Sequence, residues 1–471
     1  VVLAINVTDL YATTPHVGTI TPNYDINDFK YKGVAIGGWL VLEPYITPSL
    51  FLQFNSTDGT SESDIPVDEY HFCEKLGKEE CLRQLTEHWE SFYNESDFAE
   101  IAALGLNMVR IPVGYWSFEP LPKDPYVKGA QKYLNKALEW SKAHDLKVWI
   151  DLHGAPGSQN GFDNSGYRDI GFPGWFNATT NVQHTYKVLQ QIYKTYGTGK
   201  MAQEYSDTII GFEVLNEPYS PKLNMLDVQS FYNQTYLDAR NVMQLNSSVV
   251  FHDAFMPNGY WNDFLSYNST KHMRSRSNTT NSTASDYYNI MIDHHHYEVF
   301  GGDLVAMNIT QHLHNIKLYS EGIVDELESH PAVVGEWSAA LTDCTPWLNG
   351  VGLGARYAGE APYDNKRVGS CANINNYKKW SSHQKKNYRK FIEMQLDQYG
   401  LTNGWVFWCW KTETSIEWDF KRLINLDLMP QPLNNFTYIK NGTDTDPHPN
   451  SSPSTGFSPM LVGLALIIYV L

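Results

Sequence analysis

Short apolar runs closed by Gly, Pro, Asn or Asp alternate with longer amphipathic stretches from residue 31 to residue 440. Gly33–Trp39, Leu106–Pro112, Leu146–His153, Thr208–Glu217, Val249–Asp253, Tyr288–Tyr297, Ala332–Trp337 and Gly404–Trp410 are rich in Val, Ile and aromatic residues without a polar face, the pattern of strands buried on both sides. Between them, Asp97–Leu104, Leu134–His144, Gln183–Tyr196, Leu226–Leu245, Ile309–Tyr319 and Gln384–Gln398 have helical character, and Val67–Phe92 is a helix interrupted near Gly77. Consecutive parallel strands need such crossovers. Eight strands joined this way predict an α/β fold, a closed (β/α)8 TIM barrel forming a single domain with loop insertions over residues 31–440. Residues 1–30 predict an irregular lead-in, and 268–285, rich in Ser, Thr and Asn, an exposed insertion.

Chemistry concentrates where the apolar runs end. Thr208 to Leu215 is apolar, then the chain turns to Asn216, Glu217 and Pro218, and Pro218 cannot continue a strand ladder. His153 ends the third run and Glu336 lies in the seventh. In a barrel these positions meet at the C-terminal face, where catalytic groups sit. Either glutamate alone could be a solvated or salt-bridged strand end. Two carboxyls facing each other beside His153 fit double-displacement glycoside hydrolysis, in which one protonates the leaving oxygen and the other attacks the anomeric carbon. The charge of Glu336 is expected to raise the pKa of Glu217 and keep it protonated. Trp408, at the end of the eighth run, offers a flat floor for a sugar ring. The run His294-His295-His296 does not make a metal site, because neighbouring strand residues point to opposite faces; one of the three lines the cleft. No metal and no cofactor is expected.

Composition narrows the substrate. The chain has 14 Trp and 30 Tyr, and its formal charge of −17 argues against nucleic acid and anionic membrane surfaces as partners. A neutral polymer fits. Sequons at Asn6, Asn55, Asn94, Asn177, Asn233, Asn246, Asn268, Asn278, Asn281, Asn308, Asn435, Asn441 and Asn450 imply passage through a secretory pathway, with a signal peptide already removed or only its end remaining. Residues 441–459 form a Ser/Thr/Pro-rich spacer and 460–471 an apolar end, too short to span a bilayer, that matches the signal for GPI attachment near Asn450. Five cysteines cannot all pair. Cys344 and Cys371 share the long segment after the seventh strand, where a bridge would contribute about 3–4 kcal/mol. Cys409 is expected to be a buried free thiol. Cys73 and Cys81 would be about 12 Å apart on a continuous helix, and only a break at Gly77 could join them.

The stretches Gly37–Pro44, Arg110–Trp116, Asp151–Asp163, Leu215–Pro218, Asp293–Tyr297, Val334–Ala340 and Trp405–Lys411, in that order, resemble those of fungal exo-1,3-β-glucanases of glycoside hydrolase family 5. The resemblance spans about residues 31–435. It implies a retaining enzyme with Glu217 as acid/base and Glu336 as nucleophile. Asn216 would hold the sugar 2-hydroxyl, and Arg110 would hold the nucleophile. Glu43, Tyr45, His153, Asp163, His295, Tyr297 and Trp408 would line the glucose subsite. Phe162 and Phe300 would clamp the next sugar. Two departures stand out: Ala35-Ile36 where Asn-Leu is expected before Gly37, and the length of the 268–285 insertion. The implied activity releases glucose from the non-reducing end of β-1,3-glucan at the cell surface, by a monomer acting on cell wall polysaccharide. Transglucosylation is the alternative within the class. A non-catalytic glucan-binding wall glycoprotein is the alternative outside it, and a binding protein has no need of two facing carboxyls.

Overall fold

A computed structural model describes residues 28–56, 61–265 and 287–447. Most of the lead-in, the 268–285 insertion, Asn450 and the apolar end lie outside the described residues. Strands β1 (Tyr31–Ala35), β2 (Met108–Gly114), β3 (Lys147–Gly154), β4 (Ile209–Glu213), β5 (Ser248–His252), β6 (Ile290–His295), β7 (Ala332–Trp337) and β8 (Gly404–Phe407) close in chain order into a parallel barrel. Gly33 pairs with Met108 on one side and Val406 on the other, which seals it. Apart from Lys32 and Lys147, every strand residue is buried. That explains why no alternation was visible: outward positions such as Val34, Ile111, Phe212 and Val334 are buried outside the barrel as well, each burial contributing about 1.5–3 kcal/mol.

The helical break at Gly77 is real. Gly77 has φ +76°, ending α1 (Glu69–Leu76) and opening α2 (Lys78–Ser91). The bend brings the Cys73 and Cys81 Cα atoms to 5.0 Å, and the two are disulfide-bonded. Cys344 and Cys371 are also bonded, while Cys409 is free and buried. Around the barrel stand α3 (Glu95–Ala103), α4 (Ala130–Ala143), α5 (Thr179–Ile192), α6 (Met225–Leu237), α7 (Ile309–Glu326) and α8 (Ser382–Tyr399). Capping boxes open α3, from Asn94 and Asp97, and α7, from Asn308 and Gln311.

Several predicted boundaries move. The first strand stops at Ala35 because Gly38 turns with φ +66°, and the Ile46 side chain fills the space its Cβ would need. The fourth stops at Glu213, so Asn216 and Glu217 stand on an irregular turn beyond the ladder. Helix α7 runs on past residue 319 because Ser320, Ile323 and Glu326 keep its buried face. No described helix is long and apolar enough to cross a membrane.

The domain also extends past residue 440. Strands β9 (Ile439–Lys440) and β10 (Thr443–Asp444) form a hairpin on α8. The buried Glu393 accepts the amides of Thr437, Tyr438 and Ile439 at 2.8, 2.6 and 3.1 Å. Lys390 pairs with Asp444 and Asp446 at 2.7 and 2.9 Å, and Asp397 accepts the Gly442 amide. The polar composition that predicted a spacer from 441 reflects a segment whose partners are charges on α8.

A chain ended at Asn450 should keep full specific activity. In contrast, Glu393→Ala deprives three amides of their acceptor and should cost about 2–4 kcal/mol in urea unfolding, with aryl-glucoside turnover retained. A loss below about 0.5 kcal/mol, ordinary for a surface change, would show that the hairpin contributes nothing.

Candidate active site

Two glutamates converge at the C-terminal face. Glu336 lies one residue before the end of β7, directly after Gly335, and a Cβ at 335 would run into the Asp293 carboxylate on β6, so glycine is what lets these strands carry adjacent acids. Glu217 has φ +48°, a left-handed conformation costing a non-glycine residue about 1–3 kcal/mol. Its surroundings over-determine it. The Asn216 amide bonds to Leu152 O, the Tyr219 amide to Gln159 O, and the buried Gln159 side chain donates to the carbonyls of His153 and Asn216, both at 2.8 Å.

His295, at the end of β6, stands between the glutamates. Its Nδ1 is 2.8 Å from Glu217 Oε1 and 3.4 Å from Glu336 Oε2. Those two oxygens can be no farther apart than the sum of the two distances, and both carboxyls reach one imidazole nitrogen. Glu336 is held on both oxygens: Arg110 Nη1 donates to Oε1 and the Tyr297 hydroxyl to Oε2, each at 2.6 Å. Arg110 is fully buried in the barrel, bidentate to Glu213 at 2.7 and 3.0 Å, 3.2 Å from Asp151 and 2.8 Å from Asn216 Oδ1. Asp151 in turn fixes His153 Nδ1 at 2.6 Å.

The electrostatics reverse one expectation. Burial pushes the Glu217 carboxyl up, but the His295 hydrogen bond and charge, with Asn164, outweigh it and hold the group below its ordinary value. Burial favours neutral His295, yet Glu336 and Asp293 hold it well above the usual imidazole range. The raised group is Glu336, lifted by burial against the pull of His295 and Arg110. Raising of Glu217 by Glu336 fails because an imidazolium lies between them. An acid beside an acid was visible in the sequence; the cation separating them was not.

The remaining predicted residues gather at the same mouth. Trp408 stacks on His153 with centroids 5.3 Å apart and planes 7° apart, and its Nε1 donates to the Tyr45 hydroxyl at 2.6 Å. Glu43 is buried and pushed well up by that burial and by Asp163, Glu336 and Glu217; burial also lifts Asp163 to about 6. Phe162 and Phe300 lie on the loops after β3 and β6 as expected. Phe162 packs edge-on to Tyr219 at 5.3 Å, and Phe300 edge-on to Tyr297 at 5.5 Å. The three histidines alternate: His294 bonds Asp253 and Glu326 on the outer side, His295 enters the site, and His296 turns out to Tyr399.

Sequence reasoning missed Asn164, whose Nδ2 donates to Glu217 Oε2 at 2.9 Å, and Trp418, against Tyr45 and Tyr297. It also passed over the acids Asp151, Glu213 and Asp293 inside the strands. Their signal was present: Asp151 and Asp293 lie two residues before His153 and His295, hence on the same strand face. Two trios, Glu217 with His252 and His295, and Glu213 with Asp293 and His295, have atoms close enough to gather a metal ion. Arg110 already supplies the positive charge beside the second trio, bonding Glu213 and standing 3.9 Å from Asp293.

Residues 73–345 match the family model described as cellulase, glycosyl hydrolase family 5. The chain is 58% identical to glucan 1,3-beta-glucosidase 2 of Candida albicans, over 94% of this chain and 92% of that protein. It is 46% identical to the sporulation-specific glucan 1,3-beta-glucosidase of Saccharomyces cerevisiae, over 91% and 92%. Among solved structures, rutinosidase from Aspergillus niger superposes with a TM-score of 0.59 at 18% identity, covering 86% of this chain and 99% of that one, a likeness of fold.

The charge order at the site can be read directly. His295→Gln removes the cation and leaves burial to act on Glu217, so the Glu217 pKa should rise above 4.5. Carboxyl-carbon NMR of the labelled protein measures it; an unchanged or lower value would mean that another group holds Glu217 ionised.

Proposed function

The chain belongs to the cellulase family, glycosyl hydrolase family 5, and from that premise we infer that it is a retaining exo-1,3-β-glucosidase that removes glucose from the non-reducing end of β-1,3-glucan. The observation that carries this reading is the pair Glu217 and Glu336 on one imidazole nitrogen, with Glu336 alone gripped by Arg110 and Tyr297. Both glutamates are held on both oxygens, but the guanidinium on Glu336 keeps its charge and fixes one geometry for attack, whereas the imidazole on Glu217 can pass it a proton. Glu336 is therefore assigned as nucleophile and Glu217 as acid/base. At rest the proton that Glu217 delivers sits on His295 Nδ1, 2.8 Å away, and its transfer leaves a neutral imidazole and a neutral acid without changing the net charge. Glu217 then protonates the departing oxygen as Glu336 Oε2 bonds to the anomeric carbon. Esterification removes the Glu336 charge, and Glu217, now ionised, takes a proton from the water that releases glucose.

Asn216 Nδ2 and His153 Nε2 are buried with no hydrogen-bond partner among the described residues, and both are suited to hydrogen-bonding glucose hydroxyls. Trp408 supplies the ring face beneath them, with Glu43, Tyr45 and Asp163 beside it. The rings around Phe162 and Phe300 favour a second outcome from the same site, in which an acceptor sugar held there competes with water and is glucosylated. On the same reading the protein is a secreted monomer, tethered by a GPI anchor near Asn450 and acting on wall polysaccharide; the sequon density and the apolar end support that placement.

Glu336→Ala should lose turnover of nitrophenyl β-glucoside and regain it with azide as α-glucosyl azide, whereas Glu217→Ala should form the glycosyl-enzyme from good leaving groups and release it slowly. Swapped rescue patterns would exchange the assignments, and α-glucose as the first product by NMR would remove the retaining mechanism.

The double change Phe162→Ala/Phe300→Ala should lower kcat/KM on laminaribiose and laminaritriose by about 1–3 kcal/mol while sparing the aryl glucoside, and shift products from transfer to hydrolysis. Equal losses on both substrates would make the two rings structural.

A further inference from the structure

Among the described residues, three exposed Asn-X-Ser/Thr sequences stand at helix starts on the catalytic half of the barrel. Asn177-Ala178-Thr179 closes the loop that carries Phe162 and leads into α5, and Asn308-Ile309-Thr310 closes the loop that carries Phe300 and leads into α7. Asn94-Glu95-Ser96 opens α3, whose Asp97 binds Trp410 and Lys411 just past the end of β8. All three asparagines are exposed, as are Thr179, Ser96 and Thr310. Where these side chains are engaged, the oxygen is what is used. Asn94 Oδ1 accepts from the Ser96 amide and hydroxyl at 2.9 and 2.6 Å, and Asn308 Oδ1 accepts from the Gln311 amide at 3.1 Å. Capping needs the carbonyl oxygen; glycosylation uses the nitrogen. A single residue can therefore do both. Asn246, whose Ser248 begins β5, differs: it is only 6% exposed and lies on the opposite face of the barrel.

We propose that Asn94, Asn177 and Asn308 carry N-linked oligosaccharides that collar the active-site mouth, and that Asn246 does not. The inference rests on the secretory placement proposed for the chain. In each transfer a lipid-linked oligosaccharide pyrophosphate is the donor. The anomeric C–O bond to pyrophosphate breaks, a C–N bond to Nδ2 forms, the lipid pyrophosphate leaves, and Nδ2 gives up one proton. Oδ1 keeps its capping role. The two loops bearing the entrance rings thus each end on a bulky hydrophilic group, which leaves the mouth open to a projecting chain end and hinders a flat sheet of packed polymer.

The chain secreted from a yeast host, treated with peptide N-glycosidase in heavy-oxygen water and mapped by mass spectrometry, should show labelled aspartate at 94, 177 and 308 and unlabelled asparagine at 246. Thr179→Ala and Thr310→Ala should each delete one glycan, leave the Asn308 cap in place and leave aryl-glucoside turnover unchanged. A glycan on Asn246, or glycans confined to other sequons, would overturn the assignment while secretion stands. A chain retained inside the cell without any glycan would overturn both.

Discussion

A single guanidinium inside the barrel binds a ring of acids drawn from four strands. Arg110 contacts Glu213, Asp151, Asp293 and Glu336 while having no solvent exposure itself. Burying that many carboxylates would be prohibitive without a cation at their centre, and a cation there would be equally costly without them. Each group is held in place by what its partners would lose. The register of β2, β3, β4, β6 and β7 is thereby tied to the position of one nucleophile, and a one-residue slip in any of them would unpair a buried charge.

The outer layer of the site follows from this inner one. Asp151 orients His153, His153 stacks on Trp408, and Trp408 fixes the Tyr45 hydroxyl, so a sugar platform built from the end of β3 and the segments that follow β1 and β8 is referred back to Arg110. On the other side Asp293 meets His295 Nε2 at 3.3 Å, and His295 sets the charge of Glu217. The two glutamates differ because of how they are held. Glu336 is gripped by a buried guanidinium and a tyrosine hydroxyl, whereas Glu217 sits on a strained turn and is held by an imidazole and by Asn164. Strain of this kind persists only where the surroundings fix it, as Gln159 does here.

Stability outside the mouth comes from ordinary means. Capping boxes start α3 and α7, two disulfides close loops away from the strands, and the C-terminal hairpin is fastened by Glu393 and Lys390 on α8. None of these touches the glutamates. The separation lets the loops that bear Phe162 and Phe300 vary in length and decoration while the charge network underneath stays fixed.

Strand count, order and parallel closure were legible in the sequence because a strand buried on both faces leaves an unbroken apolar run, and parallel neighbours need helical crossovers. Glu217, Glu336 and His153 were legible because a polar side chain that closes such a run in a barrel is delivered to its mouth. Gly77 marked a break, and the break joined Cys73 to Cys81. What the sequence could not decide was which charges would be neighbours. Nothing local to Glu217 shows that His295, 78 positions away, will stand at its oxygen, so the sign of its pKa shift was expected the wrong way round. Nothing local to residues 437–446 shows that α8 carries the acid and the lysine that fasten them. Periodicity and turn chemistry are set by near neighbours and can be read along the chain; electrostatics and docking depend on distances that exist only after the barrel closes.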